Sequence, residues 1–130
     1  MVMQMDINNI NSLVLAYVGD SVYELRIREH LIKSNQSKVD ILQKKSIDYV
    51  SAKSQSKYLL KMMDEKIFTE EELTIIKRAR NHKRNTHPKN TDIVTYKYST
   101  GFEALIGYLY LKKEMTRIDE IMNYILGGRC

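Results

Sequence analysis

The sequence predicts an all-α protein of about six to seven helices, folded as a single domain over residues 1–130. Three observations predict this class. Apolar residues recur at spacings of three and four through most of the chain, which is the period of an amphipathic helix. No segment shows the strict alternation of a half-buried strand. The chain also contains only one proline. We therefore expect a bundle of helices packed around one core.

The first three predicted helices follow from apolar spacing and from capping residues. The first spans residues 7–33, with Asp6 as its N-cap. The second starts from Ser37, an N-cap with Asp40 three residues on. It is expected to place four apolar residues on its inner face: Ile41, Leu42, Ile47 and Val50. Ser51 is predicted to cap a third helix.

The second half of the chain holds the other three predicted helices. Thr69 with Glu72 three residues on is a capping-box pair and opens a fourth helix. Residues 85–91 contain the only proline and are predicted to form a loop. A fifth helix is predicted over residues 95–112. A sixth is predicted over residues 116–126, where the glycine that follows is the expected stop.

Positive charge is concentrated in one segment of the chain. The formal net charge is +5, yet residues 73–91 contain no acid, so the rest of the chain is close to neutral. The basic residues of this segment are Lys77, Arg78, Arg80, Lys83, Arg84 and Lys89. A focused basic patch is typical of proteins that bind polyanions, because each phosphate neutralised releases condensed counterions. The alternative interpretation is a solvated helix face.

Composition argues against secretion and against membrane insertion. The one cysteine, Cys130, has no partner for a disulfide. Residues 1–9 lack the basic and apolar regions of a signal peptide. The longest apolar runs, such as residues 13–18, are far shorter than the roughly 20 residues of a membrane span. We therefore expect a soluble, cytoplasmic protein.

Two acids occur where an ordinary amphipathic helix would not place them. Asp20 lies in the segment LAYVGDSVY and Glu103 in the segment GFEALIGYLY, both mostly apolar. A carboxylate in apolar surroundings costs several kcal/mol unless it is paired or bound to a metal. Mg²⁺ prefers hard oxygen ligands and typically takes one or two protein carboxylates. A metal site is one interpretation, and partial exposure or pairing with an arginine or lysine is the other.

Three glycines interrupt the predicted helices: Gly19, Gly101 and Gly107. Each costs roughly 1 kcal/mol relative to alanine inside a helix. Close approach of two helices is one explanation for glycines at these positions. Such an approach would bring Asp20 and Glu103 together.

Four segments carry a resemblance to a known family. In order they are VGDSV at residues 18–22, KRARN at 77–81, PKNTD at 88–92 and FEALIGYLYL at 102–111. The first and last resemble the signature helix and the second catalytic segment of the ribonuclease III family. The two middle segments resemble its Mini-ribonuclease III branch, which has a nuclease domain without a separate double-stranded-RNA-binding domain. The similarity covers residues 8–126.

The resemblance implies a fold, an activity and partners. The family fold is an all-helical nuclease domain that forms a homodimer, with one active site in each subunit along a groove for duplex RNA. The implied activity is Mg²⁺-dependent endonucleolytic cleavage of double-stranded RNA, in which Mn²⁺ substitutes for Mg²⁺. The usual substrate of the branch is precursor large-subunit (23S) ribosomal RNA. A ribosomal protein that presents this RNA is a further candidate partner.

The resemblance also assigns residues. Asp20 and Glu103 match the catalytic, metal-binding acids of the family. Two further acids of the longer enzymes are absent, because Ala16 and Thr100 occupy the matching positions. Two nearby acids have no matching role and are predicted to be structural: Glu24 and Asp92.

The basic segment is expected to bind the RNA. Double-stranded RNA is recognised mainly through its shape, its phosphates and its 2′-hydroxyls, and lysine, arginine and asparagine side chains suit those contacts. The predicted RNA-binding residues are Lys77, Arg78, Arg80, Asn81, Lys83, Arg84, Lys89 and Asn90.

Two other functions compete with that of a nuclease. A non-catalytic RNA-binding module of ribosome assembly on the same fold is consistent with the two absent acids. A small helical DNA-binding domain would explain the basic segment, but it leaves the two acids in apolar segments without an explanation.

Overall fold

The computed structural model describes residues 6–34, 38–83 and 92–127. These ranges contain a short 3-10 turn, six α-helices and no strand, which confirms the predicted all-α class. The helices are α1 (Ser12–Lys33), α2 (Val39–Val50), α3 (Ala52–Asp64), α4 (Glu70–Arg80), α5 (Ile93–Leu111) and α6 (Met115–Ile125). None of the described helices is long and apolar enough to span a bilayer. The loop predicted over residues 85–91 lies outside the described residues.

The predicted start of the first helix is wrong. Residues Ile7–Asn9 form a separate 3-10 turn, and α1 begins only at Ser12. The reason is local: the Asn11 side chain accepts a hydrogen bond from the Leu13 backbone N–H at 2.7 Å, so Asn11 is the N-cap of α1. Asp6 instead accepts a hydrogen bond from the Asn9 side-chain amide.

Two predictions for α2 also need correction. The helix begins at Val39 with Lys38 in the N-cap position and no side-chain cap, while Ser37 lies outside the described residues. Ile47, predicted to face inward, is 60% exposed. The more buried stripe of α2 runs through Leu42, Ser46 and Val50 at a spacing of four, and Ile47 lies beside that stripe.

The remaining capping signals are good predictors of helix starts. Ser51 caps α3 by accepting a hydrogen bond from the Ser54 N–H at 3.2 Å. At α4, Thr69 and Glu72 form the predicted capping box in both directions. The helix α5 starts two residues earlier than predicted because Asp92 is its N-cap. The helix α6 covers the predicted segment to within one residue at each end.

Glu72 of the capping box also forms a buried ion pair. Glu72 is 4% exposed. Its carboxylate accepts hydrogen bonds from Arg117 of α6 at 2.7 and 2.8 Å. Arg117 donates a further hydrogen bond to the Ile67 carbonyl at 2.9 Å. Burial raises the pKa of Glu72, but the hydrogen bonds from Arg117 and Thr69 outweigh burial and leave this pKa below its usual value. The pair therefore joins α4 to α6 with both charges satisfied.

The helix α5 is the centre of the bundle. It packs against α1, α3, α4 and α6, as expected of a helix that is apolar on nearly all sides. Between residues 99 and 109 every residue is buried except Glu103, which is half-buried. Tyr23 of α1 packs edge-on against Phe102, with ring centroids 4.9 Å apart. Glu103 is therefore the one residue of this stretch of α5 that reaches solvent.

Two glycines bring the backbones of α1 and α5 into contact. A Cβ added to Gly19 would overlap the carbonyl oxygen of Glu103, and a Cβ added to Gly107 would overlap the carbonyl oxygen of Leu15. The third glycine, Gly101, faces α4, where an added Cβ would lie 3.1 Å from the carbonyl oxygen of Ile76. Close helix approach is therefore confirmed as the reason for the glycines.

Replacing Gly19 with alanine should destabilise the protein. The added methyl meets backbone rather than a flexible side chain, so we expect the free energy of unfolding to fall by about 2–3 kcal/mol, although alanine is the better helix former by about 1 kcal/mol. Urea unfolding followed by circular dichroism measures the change. The control is Glu29→Ala at an exposed position of the same helix, outside both the cavity that α1 forms with α5 and the other pockets, which should change stability by about 0.5 kcal/mol or less. A Gly19→Ala protein as stable as the wild type would contradict the backbone contact.

Candidate active site

The two acids singled out in the sequence line the same cavity. This cavity has a volume of about 400 Å³ and lies between α1 and α5. Its lining residues are Leu13, Ala16, Tyr17, Asp20, Tyr96, Thr100 and Glu103. On each helix the lining residues recur at spacings of three and four, so each helix presents one face to the cavity. Asp20 and Glu103 thus come from segments 83 positions apart and meet at one site.

The glycine contact explains why the acids converge. Gly19 immediately precedes Asp20, and the atom that Gly19 packs against is the carbonyl oxygen of Glu103 itself. The two acids therefore lie next to the point where the helices are closest. A side chain at residue 19 would push the backbone of α5 away and separate the two carboxylates.

Asp20 is more exposed than its sequence setting suggested. It is an exposed residue, and it forms no salt bridge with the described residues. Its apolar sequence neighbours do not surround it, because α1 turns Tyr17 to solvent, where it is 78% exposed, and leaves Val18 and Val22 only half-buried. Asp20 is therefore an exposed acid at the mouth of the cavity and is not enclosed by apolar side chains.

Glu103 is half-buried and held by a neighbouring helix. Its Oε2 accepts a hydrogen bond from the Nε2 of Gln55 on α3 at 3.2 Å. Gln55 is 1% exposed and is not among the site residues predicted from the sequence. The available signal was a polar residue in the same helical phase as Leu59 and Met62, the buried apolar residues of α3.

The two positions that the resemblance matches to further acids of longer enzymes, Ala16 and Thr100, also line this cavity. Ala16 contributes a methyl group, and the Thr100 hydroxyl donates a hydrogen bond to the Tyr96 carbonyl at 3.0 Å within its own helix. Among the described residues there is no cluster of three or more acids, histidines or cysteines that could hold a metal. The acidic donor set of the cavity is therefore Asp20 and Glu103.

The two other acids considered in the sequence lie outside this cavity. Glu24 forms an ion pair with Arg28 one turn later at 3.0 Å. Asp92 accepts hydrogen bonds from the Thr95 N–H at 2.9 Å and from its hydroxyl at 2.8 Å. These hydrogen bonds lower the pKa of Asp92, as expected of a carboxylate that caps a helix. Both contacts are consistent with the predicted structural roles.

The described part of the basic segment lies at the C-terminal end of α4. Lys77, Arg78, Asn81 and Lys83 are exposed. Arg80 is half-buried, and its guanidinium lies over the ring of Tyr98, 5.5 Å from the ring centroid. The predicted RNA-binding residues Arg84, Lys89 and Asn90 lie outside the described residues.

The contact between Arg80 and Tyr98 relates the basic segment to the cavity. Tyr98 and Gly101 lie on the face of α5 that meets α4. Tyr96 and Thr100, in the same turns of α5, line the cavity. The basic segment therefore packs against one face of α5, and the cavity that holds the two acids lies at another face of the same helix.

Comparison with known proteins identifies the family. The sequence model described as "Ribonuclease III domain" matches residues 13–114, most of the chain. The chain belongs to the ribonuclease III family. The matched range includes both acids of the cavity and the described part of the basic segment.

Curated relatives place this ribonuclease III domain in the Mini-ribonuclease 3 branch, as the sequence resemblance indicated. Mini-ribonuclease 3 of Enterococcus faecalis is 42% identical over 93% of this chain and 92% of its own length. The Streptococcus pneumoniae protein is 41% identical over 93% and 94%, and the Staphylococcus aureus protein is 44% identical over 90% and 87%.

A solved structure supports the fold of this ribonuclease III domain. The crystal structure of a protein from Fusobacterium nucleatum superposes with a TM-score of 0.85 at 34% sequence identity. The alignment covers 98% of this chain and all of the other. The order and packing of the helices described above are thus those of a known structure.

Proposed function

We propose that this protein is a divalent-metal-dependent endonuclease that cleaves double-stranded RNA and matures the ends of precursor large-subunit (23S) ribosomal RNA. Membership of the ribonuclease III family makes the chain an endoribonuclease of the ribonuclease III type. The observation that carries the rest is the meeting of Asp20 and Glu103 in one cavity between α1 and α5. The metal, the substrate, the dimer and a cytoplasmic location are parts of the proposal.

The chemistry of the cavity fits a hard divalent cation. Carboxylate oxygens are the ligands that Mg²⁺ prefers, and Mg²⁺ is usually bound through one or two protein carboxylates while substrate phosphate and water complete its coordination. Asp20 at the exposed side and Glu103 at the half-buried side supply two such carboxylates. Mn²⁺ accepts the same oxygen ligands. We therefore assign Asp20 and Glu103 as the metal-binding, catalytic residues.

The residues of the cavity have different roles in the proposed reaction. Asp20 faces solvent, where the phosphate backbone of a duplex arrives, and Glu103 holds the inner side of the site. The Ala16 methyl and the Leu13 side chain line the cavity without offering a competing ligand. A divalent ion bound by these acids supplies the charge that activates water and stabilises the negative charge developing on the scissile phosphate.

In this proposal the basic segment binds the phosphate backbone of the RNA. The exposed side chains of Lys77, Arg78, Asn81 and Lys83 reach solvent from the end of α4. Arg80 contributes charge and fixes this end of α4 on Tyr98. Arg84, Lys89 and Asn90 extend the predicted set beyond the described residues. Binding of this kind is governed by phosphate contacts and so depends strongly on salt.

An exposed apolar patch supports the proposed homodimer. The patch combines α1 with the end of α5 and the start of α6, and its lining residues are Tyr17, Val18, Ser21, Val22, Leu25, Arg26, Tyr110 and Met115. Leu25 is 57% exposed and Tyr110 is 44% exposed. Contiguous exposed apolar surface of this kind marks sites of protein association. A ribosomal protein that presents the substrate would be a separate partner.

One alternative function is favoured by a specific observation. The cavity holds Ala16 and Thr100 where the longer enzymes carry acids, so the same fold without catalysis would be an RNA-binding module. Incubation with duplex RNA in Mg²⁺ and in EDTA separates the two functions, since the module would bind without metal-dependent cleavage. Ribonuclease III membership removes the reason to consider a DNA-binding domain.

Removal of either acid should abolish cleavage. Asp20→Asn and Glu103→Gln each keep the side-chain shape but remove a charged metal ligand, so we expect the cleavage rate of a duplex RNA in Mg²⁺ to fall at least about a hundredfold. Duplex binding, measured in Ca²⁺ or EDTA, should change little. Glu24→Gln is the matched control, because Glu24 lies outside the cavity, and it should cleave like the wild type. Wild-type rates in Asp20→Asn or Glu103→Gln would refute the assigned site.

Removal of exposed charges from α4 should weaken RNA binding and its salt dependence. For the triple variant Lys77→Ala, Arg78→Ala and Lys83→Ala, we expect the slope of log K against log salt to fall by roughly one for each phosphate that is no longer neutralised. Filter binding over a salt series measures this slope. A control triple, Lys33→Ala, Lys44→Ala and Lys45→Ala, makes the same change in net charge at exposed positions of α1 and α2. Equal effects of the two triples would assign the binding to net charge alone.

The apolar patch can be tested by sedimentation. We expect the wild type to sediment as a dimer and Leu25→Asp to sediment as a monomer, since a carboxylate in an apolar interface must be desolvated. Ile47→Asp is the control, because Ile47 is equally apolar and 60% exposed on α2, outside the patch. A wild type that stays monomeric at all concentrations, or a Leu25→Asp dimer, would contradict the proposed interface.

A further inference from the structure

Gln55 is a buried polar residue in direct contact with a proposed metal-binding acid. Its side chain lies in the first turns of α3, is 1% exposed, and reaches across to α5. Burying an amide costs free energy unless its hydrogen bonds are made. A methionine or leucine would fill a similar volume without that cost. The contacts of its amide are therefore what explains a glutamine at this buried position.

The amide nitrogen of Gln55 joins two acceptors on different helices. It donates hydrogen bonds to the carbonyl oxygen of Val50 at 3.0 Å and to the Oε2 of Glu103 at 3.2 Å. Val50 is the last residue of α2, so its carbonyl is one that the helix leaves without an intrahelical partner. The two N–H groups of one amide thus connect the end of α2 to the acid on α5.

Chemistry fixes the orientation of this amide. A carbonyl oxygen accepts hydrogen bonds only, and so does an ionised carboxylate, so only the Nε2 end of Gln55 satisfies Val50 and Glu103 together. The other end, Oε1, is buried without a hydrogen-bond partner among the described residues. The amide therefore makes both hydrogen bonds through its nitrogen and leaves its own oxygen unsatisfied, a cost that a buried apolar side chain would not carry.

We propose that Gln55 is a positioning residue of the metal site: held by the Val50 carbonyl, its amide fixes the rotation of the Glu103 carboxylate in the orientation that binds the divalent ion. This inference rests on the metal site proposed above. A neutral donor suits the task, because it orients the carboxylate without supplying a positive charge that would compete with a cation. Groups that hydrogen-bond to metal ligands commonly tune metal affinity in this way.

The test separates metal binding from stability. Gln55→Met removes both hydrogen-bonding ends of the amide while keeping an unbranched side chain of similar length. We expect the Mn²⁺ affinity of the protein without RNA, measured by electron paramagnetic resonance of free Mn²⁺, to fall about 10–100-fold. The melting temperature should change little, because the lost hydrogen bond to the Val50 carbonyl is offset by removal of the unsatisfied Oε1 from the interior. The Mg²⁺ concentration for half-maximal cleavage should increase by the same factor, with the KM for duplex RNA unchanged.

Two further variants complete the experiment. Gln55→Leu lacks the same amide with a different shape, and it should reproduce the fall in Mn²⁺ affinity if Gln55→Met folds poorly. Ser56→Ala is the matched control, because Ser56 is the next residue of α3 and is buried, and its Mn²⁺ affinity should equal that of the wild type.

The outcomes distinguish this inference from the proposed function. Wild-type Mn²⁺ affinity and wild-type metal dependence in folded Gln55→Met or Gln55→Leu would overturn the role of Gln55 alone. Mn²⁺ binding by the wild type that Asp20→Asn leaves unchanged would overturn the proposed metal site, and the role of Gln55 with it. Weakened Mn²⁺ binding in both Asp20→Asn and Gln55→Met supports both.

Discussion

The contact between the backbones of α1 and α5 is the constraint on which the rest of the structure depends. It is possible only because Gly19 and Gly107 have no side chains, and each faces a carbonyl oxygen of the other helix. Each glycine lowers the intrinsic stability of its helix, and the buried surface of α5 offsets that cost. Because Gly19 packs against the backbone of Glu103, the contact that closes the core also sets the geometry of the cavity.

Features of the fold set by neighbouring residues could be predicted from the sequence. The caps at Ser51 and Thr69 were correct because their hydrogen bonds join residues three positions apart. The start of α1 was wrong because Asn11 competes with Asp6 for the role of N-cap, and both residue types are good caps. The outward face of Ile47 could not be predicted, because periodicity identifies an apolar helix face without specifying which neighbour covers it.

The two acids of the candidate site could be predicted from the sequence, but the residues around them could not. Asp20 and Glu103 stand out as charges in apolar segments, and the glycines indicated that the two helices meet. The exposure of Asp20 depends on how α1 is rotated against α5, which a single sequence does not contain. The role of Gln55 was missed for a similar reason, since its contact with Glu103 joins residues 48 positions apart.

The double use of Glu103 has a consequence for attempts to graft this site onto other helical scaffolds. Its carbonyl oxygen fits against Gly19, while its carboxylate lines the cavity. Helices that meet through larger side chains usually run about 8–10 Å apart, so two acids copied onto such a pair would start from the wrong separation. A transplant would therefore have to include Gly19 and Gly107 as well as the two acids. For the same reason, mutagenesis of this chain should leave these two glycines unchanged.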